Sequence, residues 1–511
     1  MGEYIIAYDV GTSCNKALLV DANGTPIASS ISYYEIKYPK PNYAEQDPDD
    51  WLRSICKTTK DVLEKSKIKK EEILGITFSN QMLGIIPVNK DGKLRDAIIW
   101  LDNRAIKEAE NMMRKFVSPK IFALLAGAPL TGKDGIPKLL WLKNNEREIY
   151  EKMEYFLDVN GYLIFKTTGN MVMELSNASV FGLDLKKKDW LKWIFEYVGI
   201  DTKKLPPLVK STDIVGKLRK DLANECGLLE GTPVIAGAGD ALCASVGAGA
   251  VLEGDAHFYL GTSGWVGVIT KRHPTGKCGI AVIQSADYEN SFLFAETETA
   301  GECLRWIKNE FYREESQDPN IKNVYTLMDE EVKKVTPGSG FLIFTPYLFG
   351  ERAPVNDCYV RGSFVNLCIN HKRENLLRAV YEGVGYNIRW ILNIIDEKFG
   401  FKIPSLRVIG GGARGDIWMQ IISDITGKKI ETLEYPQERG AIGAAYIGFI
   451  GLGLIKDFKS LKELIKPFKI FEPNLNNKKI YDFLFDKFKD VYKNLKKFYK
   501  ELNKKIEEMK F

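Results

Sequence analysis

"YIIAYDVGTSCNKALLVD", Tyr4 to Asp21, sets two apolar runs on either side of Gly11-Thr12-Ser13, and "AHFYLGTSGWVGVIT", Ala256 to Thr270, does the same around Gly261-Thr262-Ser263. The two stretches align without gaps, Val10 on Leu260 and Ser13 on Ser263. Each predicts a strand, a tight turn and a second strand. In the first copy Asn23-Gly24 then turns the chain into a third strand. One tetrapeptide can recur by chance. Its recurrence inside the same strand–turn–strand context predicts a duplication, with two related domains that each begin with a hairpin.

Outward from the hairpins, both halves alternate strands and helices. "EILGITFSN" reads as a buried strand, and "DPDDWLRSICKTTKDVLEK" as a helix with Asp47 as N-cap and Pro48 at the first helical position. The second half predicts a helix in "AGECLRWIKNEF", a long helix from Glu374 to about Phe399, a strand "SLRVIGGG" and a helix from Asp416 to Thr426. The expectation is α/β architecture in both halves with a cleft between them, residues 1–250 forming the first domain and 251–511 the second. From about Lys478, Leu484, Phe488, Val491, Leu495, Phe498, Leu502, Ile506 and Met509 recur at helical spacing among Lys and Glu. This predicts a helix docked on the second domain, or alternatively a short coiled coil that forms a homodimer.

The 511-residue length predicts two or three domains, and 45% hydrophobic with 27% charged residues fits a soluble globular chain with sizeable cores. Net charge is +5, nearly neutral at this length, which argues against a nucleic-acid binder. The eight cysteines are scattered with no C-x-x-C pair, as free thiols in a reducing cytoplasm would be. The N-terminus has neither a basic n-region nor a myristoylation pattern, and no uncharged run reaches the ~20 residues of a membrane span. His257, His273 and His371 lack partners at metal-ligand spacing and are expected to be structural, which leaves carboxylates to carry the chemistry.

Asp240 stands alone among small residues in "GAGDALCASVGAGAV", Gly237 to Val251. It reads as a helix N-cap, or as a base that another molecule approaches closely. The two Gly-Thr-Ser turns read as phosphate grips: glycine admits the anion, and backbone N–H groups and hydroxyls meet it. Asp9, just before the first turn, is placed to orient hydrated Mg²⁺. "GAPLTGKD", Gly127 to Asp134, nearly matches a phosphate loop but lacks the hydroxyl residue for magnesium. Gly135 and Pro137 are expected to keep a helix from starting there. "VIGGGARGD", Val408 to Asp416, is a strand, a Gly-rich turn and a helix without dinucleotide spacing.

The chain resembles the FGGY carbohydrate kinases, within the superfamily of sugar kinases, Hsp70 and actin, over nearly its whole length. The resemblance rests on "YDVGTSCNKALLVD", "AEQDPDDW", "SNQMLGI", "AIIWLDNRA", "PKLLWL", "VIAGAGDALCASVGAGAV", "YLGTSGWVG", "YLFGERAP", "RAVYEGVGY" and "VIGGGARGDIWMQIISDITG", in that order. Its xylulokinase branch is the nearest in pattern. The resemblance implies two duplicated actin-like ATPase (ribonuclease H-like) domains, the first on the sugar and phosphate side and the second on the nucleotide side. It implies transfer of the γ-phosphoryl group of ATP, with Mg²⁺, to a hydroxyl of a small sugar or polyol. By the same resemblance Asp240 is the base, and Asp9 with Asp240 lies at the metal. Gly11, Thr12, Ser13, Lys16, Gly261, Thr262 and Ser263 meet the phosphates. Gly301, Arg305, Gly411, Gly412, Ala413 and Asp416 meet the nucleotide, while Met82, Leu83, Trp100, Asp102 and Arg104 line the acceptor.

Two positions depart from the xylulokinase pattern. His commonly follows the methionine where this chain has Leu83, and Asn often follows the base where it has Ala241. Sites built to hydrogen-bond hydroxyls discriminate strongly by such groups. The acceptor therefore stays open among a ketopentose, another ketose, a polyol and a sugar acid. A nucleotide-driven binding protein of the Hsp70 or actin type is the alternative outside the kinases.

Overall fold

The computed structural model describes residues 2–116 and 130–509. Hydrophobic alternation and turn chemistry build the first sheet. Strands β1 (Tyr4–Val10), β2 (Cys14–Asp21) and β3 (Pro26–Tyr33) form an antiparallel meander. Helix α1 (Pro48–Ser66) covers the meander, capped by Asp47 through the Asp49 N–H. Strand β4 (Ile73–Asn80), buried almost throughout, then joins β1 in parallel. Beyond it lie β6 (Pro233–Ile235), parallel to β4, and the antiparallel edge strand β5 (Ile214–Lys217). Between these two strands the chain runs through a short helix, α3 (Lys220–Cys226), and earlier in the chain lies α2 (Gly135–Asn145).

The second sheet repeats this order. β7 (Ala256–Leu260) and β8 (Gly264–Thr270) make the hairpin, and β10 (Ser291–Thr297) follows β8, with β9 (Ile280–Gln284) beyond it. On the other side of β7 come β11 (Ser405–Ile409) and β12 (Lys429–Thr432) in parallel, then β13 (Lys469–Phe471) antiparallel. Hairpin, third strand, two parallel strands and an antiparallel edge thus occur in the same spatial order twice.

The helices that follow the last parallel strands bind the halves together. These are α4 (Asp240–Gly247) after β6 and α8 (Arg439–Gly451) after β12. Helix α8, late in the chain, packs on β1, β2 and β4 of the first sheet. Side chains of α4 share one apolar cluster with Ile269 and Phe292 of the second sheet. The two helices cross at glycines: a Cβ on Gly443 would stand 1.8 Å from the Cys243 carbonyl oxygen, and one on Gly247 at 1.8 Å from that of Arg439. Only backbone fits at this crossing.

Helices α5 (Gly301–Phe311), α6 (Arg373–Ile394) and α7 (Asp416–Thr426) build the rest of the second half, and α9 (Lys478–Met509) closes the chain. Tyr481, Leu484, Phe485 and Phe488 of α9 are buried in the second core. Tyr481 also accepts a hydrogen bond from Arg378 at 2.9 Å and donates one to Glu382 at 3.0 Å. Docking continues along the helix, with Tyr499 buried in the same core and Asn503 donating to the Tyr359 carbonyl at 2.8 Å, while Phe498, Leu502 and Ile506 are exposed. No described helix is long and apolar enough to cross a membrane.

Three expectations change. Cys56 on α1 and Cys226 on α3 are joined in a disulfide, because the two helices pack side by side; none of the other six cysteines is in a disulfide. A helix does start at Gly135, and Pro137 stands in its first turn, where backbone N–H groups have no helical acceptor to lose. Of "GAPLTGKD", positions 127–129 lie outside the described residues. Finally, Asp240 is the first residue of α4 and Gly239 holds the N-cap position; the Asp240 carboxylate accepts the N–H of its neighbour Ala241 at 2.7 Å.

Candidate active site

The duplicated fold places the two Gly-Thr-Ser turns at equivalent strand ends, β1 to β2 and β7 to β8. Each turn closes on itself, with Gly11 N–H bonding the Cys14 carbonyl and Gly261 N–H that of Ser263, both at 3.0 Å. Their outer partners differ. The first turn is held by side chains of its own half: Trp100 Nε1 donates to Thr12 Oγ1 at 2.8 Å and Gln46 Nε2 to the Thr12 carbonyl at 2.7 Å. The second is held by a helix start: the N–H groups of Gly301 and Glu302 donate to the Gly261 and Thr262 carbonyls at 2.8 and 3.0 Å. Gly301 is therefore a packing position as well, since a Cβ there would lie 2.4 Å from the Gly261 oxygen. Arg305, one turn on, is exposed and paired with Glu302 at 2.7 Å.

Asp9 and Asp240 meet between the halves. Strand register pairs Asp9 with Ser79, whose hydroxyl donates to the Asp9 carboxylate at 2.9 Å, and with Lys16 on the other side. Burial pushes the Asp9 carboxyl above the usual range, against the pull of Ser79 and Lys16. The Lys16 ammonium points across to the Gln437 carbonyl, 3.5 Å away, just before α8. Asp240 is brought in by the strand-to-helix turn after Ala238-Gly239, which pairs with the end of β4. Burial first, then the Asp9 charge and that of Glu296 on β10, push the Asp240 pKa up to about 7. A carboxylate with that pKa is charged on about half the molecules near neutral pH and takes a proton readily.

The acceptor-side residues divide into two kinds. Met82 lies against the base turn, where a Cβ on Gly239 would be 2.6 Å from its sulfur. Leu83 beside it is partly exposed with φ of 61°, and Trp100 is partly exposed over Thr12. These three sit on accessible wall. Asp102 and Arg104 do not, which corrects the expectation that they line the acceptor. Asp102 is fully buried and accepts the Ala44 N–H at 2.6 Å. Arg104 bonds Asp102 at 2.7 Å and Glu45 at 2.6 Å, and its guanidinium lies 3.9 Å from the Tyr43 ring centroid and 4.7 Å from that of Trp141. Both charges are met by partners, Asp102 by Arg104, and Arg104 by Asp102 and Glu45.

On the far side, Gly411, Gly412 and Ala413 form a tight turn after β11 that leans on the second hairpin: a Cβ on Gly412 would lie 2.3 Å from the Leu260 side chain. Ala413, Asp416, Leu433, Tyr435 and Phe468 line an open cavity of about 340 Å³ beside it. Asp416 starts α7 and pairs with Lys469 at 2.8 Å.

Among the described residues no cluster of three or more His, Cys, Asp or Glu side chains is placed to hold a metal. A magnesium ion held by one or two carboxylates, with phosphate oxygens and waters completing it, requires none. Asp9 and Asp240, two partly exposed carboxylates of which the first raises the pKa of the second, fit that donor set. Sequence reasoning passed over Ser79, Gln46, Glu296 and Arg352, although "SNQMLGI", "AEQDPDDW" and "YLFGERAP" contain three of them. Arg352 bonds Glu298 at 2.7 Å and also pairs with Glu296, the residue that raises Asp240.

The family model for the N-terminal domain of the FGGY family of carbohydrate kinases matches residues 4–247, and that for the C-terminal domain matches residues 256–452. The chain is 32% identical over 502 residues to a xylulose kinase of Bacillus subtilis, covering 97% of each protein. It is 28% identical over 469 residues to a gluconokinase of the same organism, covering 91% of each. Among solved structures it is similar to ligand-bound xylulose kinase from Lactobacillus acidophilus, with a TM-score of 0.87 and 26% identity, covering 98% of this chain and 100% of that one.

Proposed function

This chain belongs to the FGGY family of carbohydrate kinases, and we propose that it phosphorylates a ketopentose, xylulose, with Asp240 as the base. What supports the base assignment is the placing of Asp240 at the head of α4, straight after the turn that pairs with the end of β4, where burial and the charges of Asp9 and Glu296 push its pKa up to about 7. Asp240 takes the proton of the acceptor hydroxyl as its oxygen bonds to the γ-phosphorus, while the bond from that phosphorus to the bridging oxygen breaks and ADP leaves. Thr12, Ser13, Thr262 and Ser263 supply hydroxyl and N–H donors to the phosphates, with Gly11 and Gly261 allowing the approach and Lys16 adding charge. The Gly411–Ala413 turn and its cavity take the adenosine, with Gly301, Arg305 and Asp416 at its margins. Asp9, with Asp240 beside it, would hold Mg²⁺, which neutralises phosphate charge when bound. Met82, Leu83 and Trp100 form the acceptor wall.

Coupled detection of ADP over a panel of ketopentoses, hexuloses, polyols and sugar acids tests this reading. D-xylulose is expected to give the largest kcat/KM. ADP formation that no acceptor stimulates points instead to a nucleotide-driven binding protein. One observation favours a sugar acid as second acceptor: the Lys133 ammonium lies 6.0 Å from the Trp100 ring centroid, on the acceptor wall, and burial lowers its pKa. A desolvated cation there would meet a carboxylate. In that case D-gluconate outranks D-xylulose, and Lys133→Met reverses the order.

Trp100→Phe removes the indole N–H that fixes Thr12 and keeps most of the ring. The loss of one hydrogen bond, about 1 kcal/mol, predicts an increase of roughly fivefold in the KM for ATP. An unchanged ATP KM would show that the Thr12 hydroxyl needs no such anchor.

A further inference from the structure

Lys138, in the first turn of α2, is fully buried, and the mechanism above makes no use of it. Its ammonium donates to the Ile99 carbonyl at 2.8 Å and to the Leu83 carbonyl at 3.3 Å. The two carbonyls belong to different segments. Leu83 follows Met82 and holds a φ of 61°, in the left-handed region where residues with side chains seldom sit. Ile99 precedes Trp100, and its carbonyl also accepts the Asp102 N–H at 3.1 Å, which closes the turn carrying Trp100. Burial pulls the Lys138 ammonium down toward a pKa of about 7, against the nearby charges of Asp102 and Asp134. An ammonium is a costly group to enclose, and a methionine would fill the same space without that cost. A helix N-terminus, with its partial positive charge, is moreover an unfavourable place for a cation. The position makes sense for a group whose task is to hold two carbonyls at one distance.

We propose that Lys138 is a positioning residue for acceptor specificity: its ammonium ties the Leu83 loop to the Trp100 turn and so sets the width of the acceptor wall. The inference rests on the reading that Met82, Leu83 and Trp100 form that wall. A tie of this kind acts on the acceptor and leaves the adenosine, bound at the Gly411 turn, untouched.

The test compares Lys138→Met and Trp100→Ala with the full-length wild type, using whichever of D-xylulose and D-gluconate the wild type phosphorylates faster. For Lys138→Met the acceptor KM rises about tenfold or more, while kcat and the Kd for ADP stay within about twofold. Lys138→Gln, with one amide donor able to keep one carbonyl, falls between the two. An unchanged acceptor KM in Lys138→Met, with a raised one in Trp100→Ala, overturns the proposal and leaves the wall assignment standing. No change in either variant removes both. Loss of ADP binding or of soluble protein in both Lys138 variants shows a structural lysine, and that outcome also overturns it.

Discussion

Asp240→Asn is expected to lower acceptor-dependent turnover by about a hundred- to ten-thousandfold while ADP affinity stays within about twofold. The substitution preserves shape. It also preserves an oxygen that can accept the Ala241 N–H, the one hydrogen bond the carboxylate makes locally. What it removes is the basic site. The wild-type pH profile supplies a second reading of the same group. Burial, Asp9 and Glu296 raise the Asp240 pKa to about 7, so the charged form that accepts the proton is lost as pH falls through 7. Turnover at saturating ATP should rise about tenfold per unit from pH 5 to near 7, then level off. Removing one of the raising charges, as in Glu296→Gln, moves that limb to lower pH. Near-normal turnover in Asp240→Asn, or a limb that ignores Glu296, would take Asp240 out of the role.

Gly443→Ala is expected to destabilise the protein by about 3 kcal/mol, at the upper end for overpacking. The new methyl would stand 1.8 Å from the Cys243 carbonyl oxygen, and the obstacle is backbone, which no rotamer change can move aside. Helices α4 and α8 must separate. Because Asp240 heads α4, and the first turn of α8 lies over Asp9, where a Cβ on Gly440 would be 3.5 Å from the carboxylate, the separation also spreads the two carboxylates. Thermal unfolding should show a midpoint lower by roughly 3 °C. Turnover of the fraction that remains folded should fall as well. Gly453→Ala offers the contrast: its φ is 77° but nothing lies within 4 Å of the added carbon, so it pays only backbone strain. Equal midpoints for Gly443→Ala and wild type would mean that the crossing is looser than the structure has it.

The duplication was legible because it is written in local terms. Each hairpin is an apolar run, a turn of small residues and another apolar run, and the two sheets repeat one order around them. Helix limits were legible where chemistry marks them, as at Asp47-Pro48 and at Asp416 to Thr426. They were less so at α2, where Pro137 suggested a break although a helix's first turn tolerates proline. The pairing of Cys56 with Cys226 had no local mark at all, since α1 and α3 meet only through the fold.

The sequence by itself therefore determined the architecture and singled out Asp240 as a candidate, because periodicity, turn residues and a lone charge among small side chains are properties of neighbouring positions. Which polar groups remain available to a ligand was decided by tertiary structure alone. Asp102 and Arg104 read as binding residues until the fold paired them with each other and with Glu45. Nothing in the residues beside Lys138 marks it as a lysine that the fold encloses between two carbonyls. Glu296, far along the chain from Asp240, adds to the effect of burial and of Asp9 on that carboxylate only because the second sheet brings it near. A charge's function depends on how much water and which partners it keeps, and those are settled by residues remote in sequence.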